Sequence, residues 1–438
     1  MQVDKTTLSD LSIFHAEEEQ SVFHHIDFTK TIGGRDTLRH LLSNPLSSIE
    51  DITETQQVVK AIMGVHQHWP EKISNGTVMV IGRFYETAIT DIPVGTNAIN
   101  AFVYKLMNGP DYSVLRYSVT HCIDFVQGLR MIQSLFNGYT LPALLENHFQ
   151  RINKLLDVPA VQKMMTVDTK QPMPPHKVLE HGRFLRWHFK KGLNELLDIY
   201  NMLDAWYGMA IACKTHQLQF PEFVAQEHPL LEATGLYHPL LTTPVAYSVG
   251  LIPEKNFLFL TGANMGGKST FIKAVGVATY LAHAGMGVPA QNMKLTLFHG
   301  LLSNIQMADN IIKGESYFYN EVQRVRKTIE KINDGKKWLI LIDELFKGTN
   351  VQDAMKCSTS VIEGLRKMKN TLFILSTHLY EIGEGLQQYS NIQFRYFETK
   401  IEDDQLVFSY QLKEGVSNDR LGYLILKREG VVEMLEQL

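Results

Sequence analysis

Cysteine is scarce in this chain of 438 residues. Cys122, Cys213 and Cys357 are scattered and odd in number, which excludes a disulfide framework and offers no metal-ligand spacing, so they read as core thiols. Long apolar runs are also missing. No stretch approaches the roughly 20 residues of a membrane span. The opening MQVDKTTLSDLSIFHAEEEQ has neither the basic start nor the apolar segment of a secretory signal, so a cytoplasmic protein with no membrane role is expected. Nor is there an excess of positive charge. With 42 Lys and Arg against 46 Asp and Glu the net charge is -4, which confines any DNA contact to a local patch. What is present is globular material, 45% hydrophobic and 20% charged, in a chain long enough for more than one core.

Residues 1–110 carry short helical patterns broken by turns. The run TIGGR (31–35) turns into an amphipathic segment ending at Asn44-Pro45, and Ser47 with Glu50 has capping-box spacing for a helix through Met63. From Gly76 to Asn108 periodicity is weak and assigns no element. From Leu115 an apolar seam runs through Val119, Cys122, Val126 and Leu129. Past the breaker PMPPH (172–176), residues Lys177 to about Gln217 contain no proline, and Phe189, Leu193, Leu196, Tyr200, Leu203, Tyr207 and Ala210 keep the same rhythm. That pattern predicts a single helix about 60 Å long at 1.5 Å per residue. Two such helices make either an antiparallel lever or the core of a plain bundle, and periodicity alone does not separate the two.

From Gly235 short apolar strands alternate with helices. Strands at Phe257–Thr261, Trp338–Ile342 and Thr371–Ser376, with helices at Lys268–Ala284, Ser316–Asn333 and Gln352–Met368, are the signature of a mostly parallel, doubly wound sheet. Gln393–Glu398 and Leu406–Leu412 read as an edge hairpin, followed by a helical tail from Asp419 to Leu438. The expected organisation is multidomain, an all-α region over 1–234 followed by an α/β P-loop domain over 235–438.

The chemistry centres on FLFLTGANMGGKST (257–270). A buried strand, a glycine-rich turn and a helix start match G-x-x-x-x-G-K-[ST], so Gly262, Ala263, Asn264, Met265, Gly266, Gly267, Lys268, Ser269 and Thr270 are expected to cradle the phosphates of a nucleotide. Lys268 would reach the β/γ oxygens and the Ser269 hydroxyl would ligate magnesium. A chance glycine-rich turn is the bland alternative, and the flanking strand and helix argue against it. WLILIDEL places Asp343 and Glu344 at the carboxyl end of a second buried strand, where parallel sheets bind ligands. Asp343 is expected to hold the magnesium and Glu344 to orient or deprotonate the attacking water. His378 follows a third such strand, within reach of a γ-phosphate. Lys313-Gly314-Glu315-Ser316 opens a helix, and by spacing alone Ser316 reads as an N-cap.

GANMGGKST, DELFKGTN, STHLYEI and DNIIKGESYFYNE resemble the ATPase motifs of the MutS mismatch-repair family, a branch of the ABC-type ATPases. Asn264-Met265 inside the cradle separates this pattern from transporters and SMC-like ATPases. TLSDLSIF and TIGGRDTLRHLLSNPLSSIEDI resemble the opening of that family's core domain, and GLYHPLL the approach to its ATPase, so the likeness covers most of the chain. The resemblance implies ATP and Mg2+ as cofactors and a homodimer in which Ser316 acts in trans on the partner's nucleotide. It also implies a helical core and lever that face double-stranded DNA. Against the family's pattern the likeness opens at the core domain, so a protein without the mismatch-reading and connector domains, and with a reduced clamp at most, is expected. An abbreviated helical tail and no nuclease domain are likewise expected. The family's adenine-stacking aromatic falls near Val245, with Tyr247 the nearby aromatic.

Between His148 and Lys191 nine basic residues face three acids, so this segment carries +6 and leaves -10 for the rest of the chain. Continued backwards from Phe189, the apolar seam meets Arg186 and Gly182, so helix pairing is expected to stop there and leave a free tip. Arg183, Arg186, Lys190 and Lys191, interleaved with Phe184, Trp187 and His188, would grip phosphates at that tip, or form a solvated charged face. The rival to a DNA-associated ATPase is an ATP-driven scaffold whose lever binds a protein partner. A transporter subunit is disfavoured because no membrane-facing segment is visible.

Overall fold

A computed structural model describes residues 1–89, 91–94, 97–305, 317–402, 405–417 and 431–436. In chain order the elements are β1 (Gln2–Val3), α1 (Lys5–Asp10), α2 (Val22–Ile26), α3 (Ile32–Ser43), α4 (Ile49–Val65), α5 (Asn75–Glu86), α6 (Ala98–Met107), α7 (Gly109–Ser134), α8 (Ala143–Leu156), α9 (Pro159–Met165), α10 (Pro175–Arg183) and α11 (Lys190–Thr215). They continue with β2 (Glu222–Val224), β3 (Leu231–Leu236), β4 (Tyr247–Leu251), β5 (Phe257–Gly262), α12 (Lys268–His283), β6 (Asn292–Thr296) and β7 (Gly300–Asn304). Then come α13 (Tyr317–Ile332), β8 (Trp338–Asp343), α14 (Val351–Leu365), β9 (Thr371–Ser376), α15 (Glu381–Leu386), β10 (Ile392–Glu402) and β11 (Gln405–Glu414). Of the expected C-terminal tail, the described part is a short helix at Val431–Glu436. No helix among the described residues is long and apolar enough to cross a membrane.

The chain forms two compact units, and they do not meet at one point in the sequence. Met1–His25, Asn44–Ile52 and Thr215–Leu438 make the first, and Ile26–Ser43 with Thr53–Lys214 the second. The region before residue 235 is therefore not all-α. The first strand, β1, pairs in parallel with β7, and β2 and β3 belong to a second sheet of the first unit.

In the first unit the larger sheet runs β1-β7-β8-β9-β5-β10-β11, parallel throughout except for β11, which pairs antiparallel with β10 at the edge. Every residue of β8 and β9 is buried, and so are the first five of β5, as a parallel sheet covered on both faces requires. These are the three aliphatic runs that the sequence marks as strands. A smaller sheet runs β2-β6-β3-β4.

The second unit is a helical bundle. α7 buries its expected seam and, on its other faces, Ile123, Phe125 and Ile132, so it lies inside a bundle rather than along one side of a two-helix arm. Gly34 in TIGGR meets a structural need. A Cβ there would lie 2.1 Å from the Asp204 carboxylate of α11, which accepts from the amides of Lys30 and Thr31 at 2.9 Å each. α4, whose first residues belong to the first unit, is capped by Ser48, which accepts from the Asp51 amide, rather than by Ser47. The stretch of weak periodicity contains α5, capped by a reciprocal Ser74/Thr77 box, and α6.

Two expectations about the second long helix are corrected. It is not continuous, because Phe184–His188 forms a π turn and Phe189 leaves helical geometry at φ -119°, ψ 7°, its amide donating to Phe184 O at 3.0 Å. The inserted residue rephases the seam so that Leu185, Phe189 and Leu193 are all buried, with the Phe184 and Phe189 rings stacked 5.4 Å apart. Nor is the segment a free tip. Gly182 packs against Leu115, where a Cβ would come within 2.4 Å of a methyl group. Arg186 caps the end of α5, donating to Phe84 O at 2.8 Å and Thr87 O at 2.7 Å. Lys190 lies over the Tyr85 ring at 5.3 Å.

Candidate functional site

β8, β9 and β5 are neighbours, and their register pairs Asp343 with Ser376 and Ser376 with Leu260, so three carboxyl ends finish at one level. The sheet thus gathers into one place the motifs that the sequence keeps far apart. After β5 the backbone turns through Gly262 (φ 135°), Met265 (φ 66°) and Gly267 (φ 109°), the last being the N-cap of α12. Beside it is a cavity of about 430 Å³ lined by residues 263–270, Glu344 and Tyr410 among others. The first-turn amides of α12 have no intrahelical partners, so this end of the helix attracts anions.

Lys268 is buried, and its ammonium donates to Gly262 O at 2.8 Å and Ala263 O at 3.0 Å. Burial pushes its pKa down to about 8, against the pull of Glu344 and Asp343. It is a cation bent back on its own loop, in position to turn to a phosphate. The Ser269 hydroxyl donates to Asp343 Oδ2 at 2.5 Å, and Ser376 donates to Asp343 Oδ1. A hydroxyl and a carboxylate side by side are the hard oxygen donors that magnesium takes, and the residues fit the ion. Among the described residues no group of three or more His, Cys, Asp or Glu could hold a metal, so any such ion would complete its shell with phosphate and water.

Glu344 leaves β8 with φ 63°. His378 Nε2 lies 2.7 Å from Glu344 Oε1 and Lys347 Nζ 3.1 Å from Oε2. Because the carboxylate is the stronger acceptor, the Nε2 proton is directed to it, although the Lys268 ammonium lies 3.5 Å from the same nitrogen. Burial works against the Glu344 charge, but the His378 hydrogen bond and the charges of His378 and Lys347 outweigh it and hold the pKa down at about 2. A carboxylate this acidic is a firm acceptor and a weak base.

The nine cradle residues, Asp343, Glu344 and His378 therefore lie together. Ser316 is outside the described residues. Arg183, Arg186, Lys190 and Lys191 belong to the other unit. The positions expected beside the base, Val245 and Tyr247, both line the cavity, but Tyr247 is 6% exposed and packed edge-on against Phe271 and Phe397 at 5.5 and 5.7 Å. The exposed aromatic at the cavity is Tyr410 of β11, 40% exposed with φ 51°. Sequence reasoning missed it, and the signal available was an aromatic in the edge hairpin.

Residues 258–435 match the sequence profile of MutS domain V. The chain is 31% identical over 240 residues to MutS protein homolog 4 of Mus musculus, covering 52% of this chain and 24% of that protein. It is 27% identical over 240 residues to DNA mismatch repair protein MutS of Petrotoga mobilis, covering 54% and 29%. It is 29% identical over 243 residues to DNA mismatch repair protein spellchecker 1 of Drosophila melanogaster, covering 54% and 26%. The matched segment spans about a quarter of the length of these relatives. Over that segment the chain is MutS-like.

Proposed function

We propose that this MutS-like chain is an ATPase that works as a homodimer on double-stranded DNA, in mismatch repair or a related repair or recombination process. The observation that carries the reading is the convergence of Lys268, the Ser269–Asp343 pair and the His378–Glu344 pair at three adjacent strand ends. The amides of residues 266–270 and the Lys268 ammonium bind the β- and γ-phosphates of ATP, while Tyr410 offers its ring to the base. Ser269 and Asp343 would hold magnesium, which when bound would neutralise charge on the phosphate oxygens. Glu344 accepts a hydrogen bond from the attacking water and aligns it, and at a pKa of about 2 it acts by orientation more than by taking the proton. His378 donates to Glu344 and keeps it ionised and aimed. Ser316, in the segment before α13, acts in trans on the partner's nucleotide, and the helical unit couples nucleotide state to the grip on DNA.

The test is a pair of variants that must differ in kind. Lys268→Ala is expected to weaken ATP binding, whereas Glu344→Gln binds ATP with near-normal affinity and hydrolyses it 10²- to 10³-fold more slowly, as loss of a water-positioning group does. Equal mild losses in both would remove the assignment. A second reading, an ATP-driven scaffold whose helical unit binds a protein, is favoured by α6. Its Ile99, Phe102, Leu106 and Met107 are 61–77% exposed on a helix with a single charge, Lys105, a surface better matched to an apolar partner than to phosphate.

A further inference from the structure

Glu321 on α13 is 2% exposed and is not among the residues that line the cavity. One of its oxygens accepts from the Lys347 amide at 3.1 Å and the other from the Gly348 amide at 3.2 Å. Those amides belong to the loop that leaves β8 and begins with Glu344. The loop is strained. Glu344 (φ 63°) and Phe346 (φ 60°) are both non-glycine residues in the left-handed region. Such conformations persist only where the surroundings fix them.

α13 supplies the fixing. The Phe318 ring packs on the buried Phe346 with centroids 5.7 Å apart, and Glu321 pins the next two amides. Lys347, held by its backbone to Glu321, returns its ammonium to Glu344. The helix is itself anchored one turn on, where Arg324 donates to Ser303 O at the end of β7 at 2.6 Å and reaches Asp10 at 3.4 Å.

We propose that Glu321 is a positioning residue for hydrolysis: it holds the Lys347–Gly348 amides so that Glu344 keeps the left-handed backbone that aims its carboxylate into the nucleotide cavity. The proposal rests on the ATPase reading. A carboxylate accepts with both oxygens. A glutamine accepts with one and turns an amide donor towards the other backbone donor, so Glu321→Gln loosens the loop at little change in volume. Glu321 makes no contact with the cradle, so nucleotide affinity stands apart from the effect.

The experiment measures ATP turnover and MgATP affinity in the full chain as wild type, Glu321→Gln, Glu344→Gln and the double variant. Glu321→Gln is expected to lower kcat roughly 10- to 100-fold, the loss of one charged hydrogen bond, with Kd for MgATP within about twofold of wild type. The double variant is expected to be no slower than Glu344→Gln alone, because both act through one carboxylate. Should Glu321→Gln not fold, Glu321→Asp, which keeps both oxygens on a shorter arm, carries the same comparison and gives an intermediate kcat. Unchanged kcat, an equal loss of affinity, or independent losses multiplying in the double variant would overturn the role of Glu321 while leaving the ATPase reading intact. Absence of turnover in the wild type would overturn the ATPase reading, and this proposal with it.

Discussion

Replacing Lys268 by Met removes the charge proposed to bind phosphate and should make the nucleotide-free protein more stable near neutral pH. Burial lowers the Lys268 pKa from 10.5 to about 8. At 1.36 kcal/mol per unit, holding that cation in the folded state costs roughly 3 kcal/mol near pH 7. Met fills similar space without the charge but forfeits the hydrogen bonds to Gly262 O and Ala263 O. These are worth about 1 kcal/mol each. The net gain is about 1 kcal/mol, a rise of roughly 1–3 °C in the melting temperature of the unit. The sign depends on pH. Because the folded pKa lies below the unfolded one, the unfolded chain binds more protons between about pH 8 and 10.5, and wild-type stability climbs through that window. At pH 9.5 about 1.4 kcal/mol of the penalty remains, less than the lost hydrogen bonds, so the advantage of Met should vanish or reverse. Calorimetry without nucleotide at pH 7 and pH 9.5 reads both differences, and added MgATP should raise the melting temperature of wild type only. A Met variant that melts below wild type at pH 7, or by the same margin at both pH values, would refute the reasoning.

Tyr410→Ala should weaken ATP about 5- to 50-fold, the loss of one stacked base, and leave inorganic triphosphate binding unchanged in parallel titrations. Equal losses for both ligands would mean that Tyr410 supports the cradle instead of the base. Mixing Ser316→Ala with Lys268→Ala subunits should restore about one working site per mixed dimer, whereas activity equal to the sum of the two alone places Ser316 in cis or makes it an N-cap. For DNA, log affinity should fall with log salt, and Arg183, Lys190 and Lys191 changed together to Ala should flatten that slope by about two to three. Arg186 is left out because it caps α5, and an unchanged slope would shift the reading to a protein partner.

The grouping of the proposed nucleotide-binding residues was legible because the physics of such a turn is local. A glycine-rich turn between a buried strand and a helix cradles phosphate wherever it occurs, and aliphatic runs ending in acid or histidine mark the carboxyl ends of parallel strands. What the sequence concealed depends on contacts between distant segments. β1 is two residues long and has no pattern until it meets β7. Arg186 looks like a free cation because its acceptors, Phe84 O and Thr87 O, sit in the stretch whose periodicity is weakest. The π turn at Phe184–His188 is invisible for another reason. Continued backwards at helical steps the seam lands on Arg186 and Gly182, and only the inserted residue brings Leu185 into line with Phe189 and Leu193, a shift that no proline or glycine pattern announces. The loop after β8 is hidden in a third way, because local rules put glycine at left-handed positions and this chain has Glu344 and Phe346 there. Local preference yields at those two residues to the burial of Phe346 and the amide bonds of Glu321, and the residue held against its preference is the one aimed at the cavity. Departure from local propensity and proximity to the reacting group therefore coincide, as they should where a fold spends stability to aim a side chain.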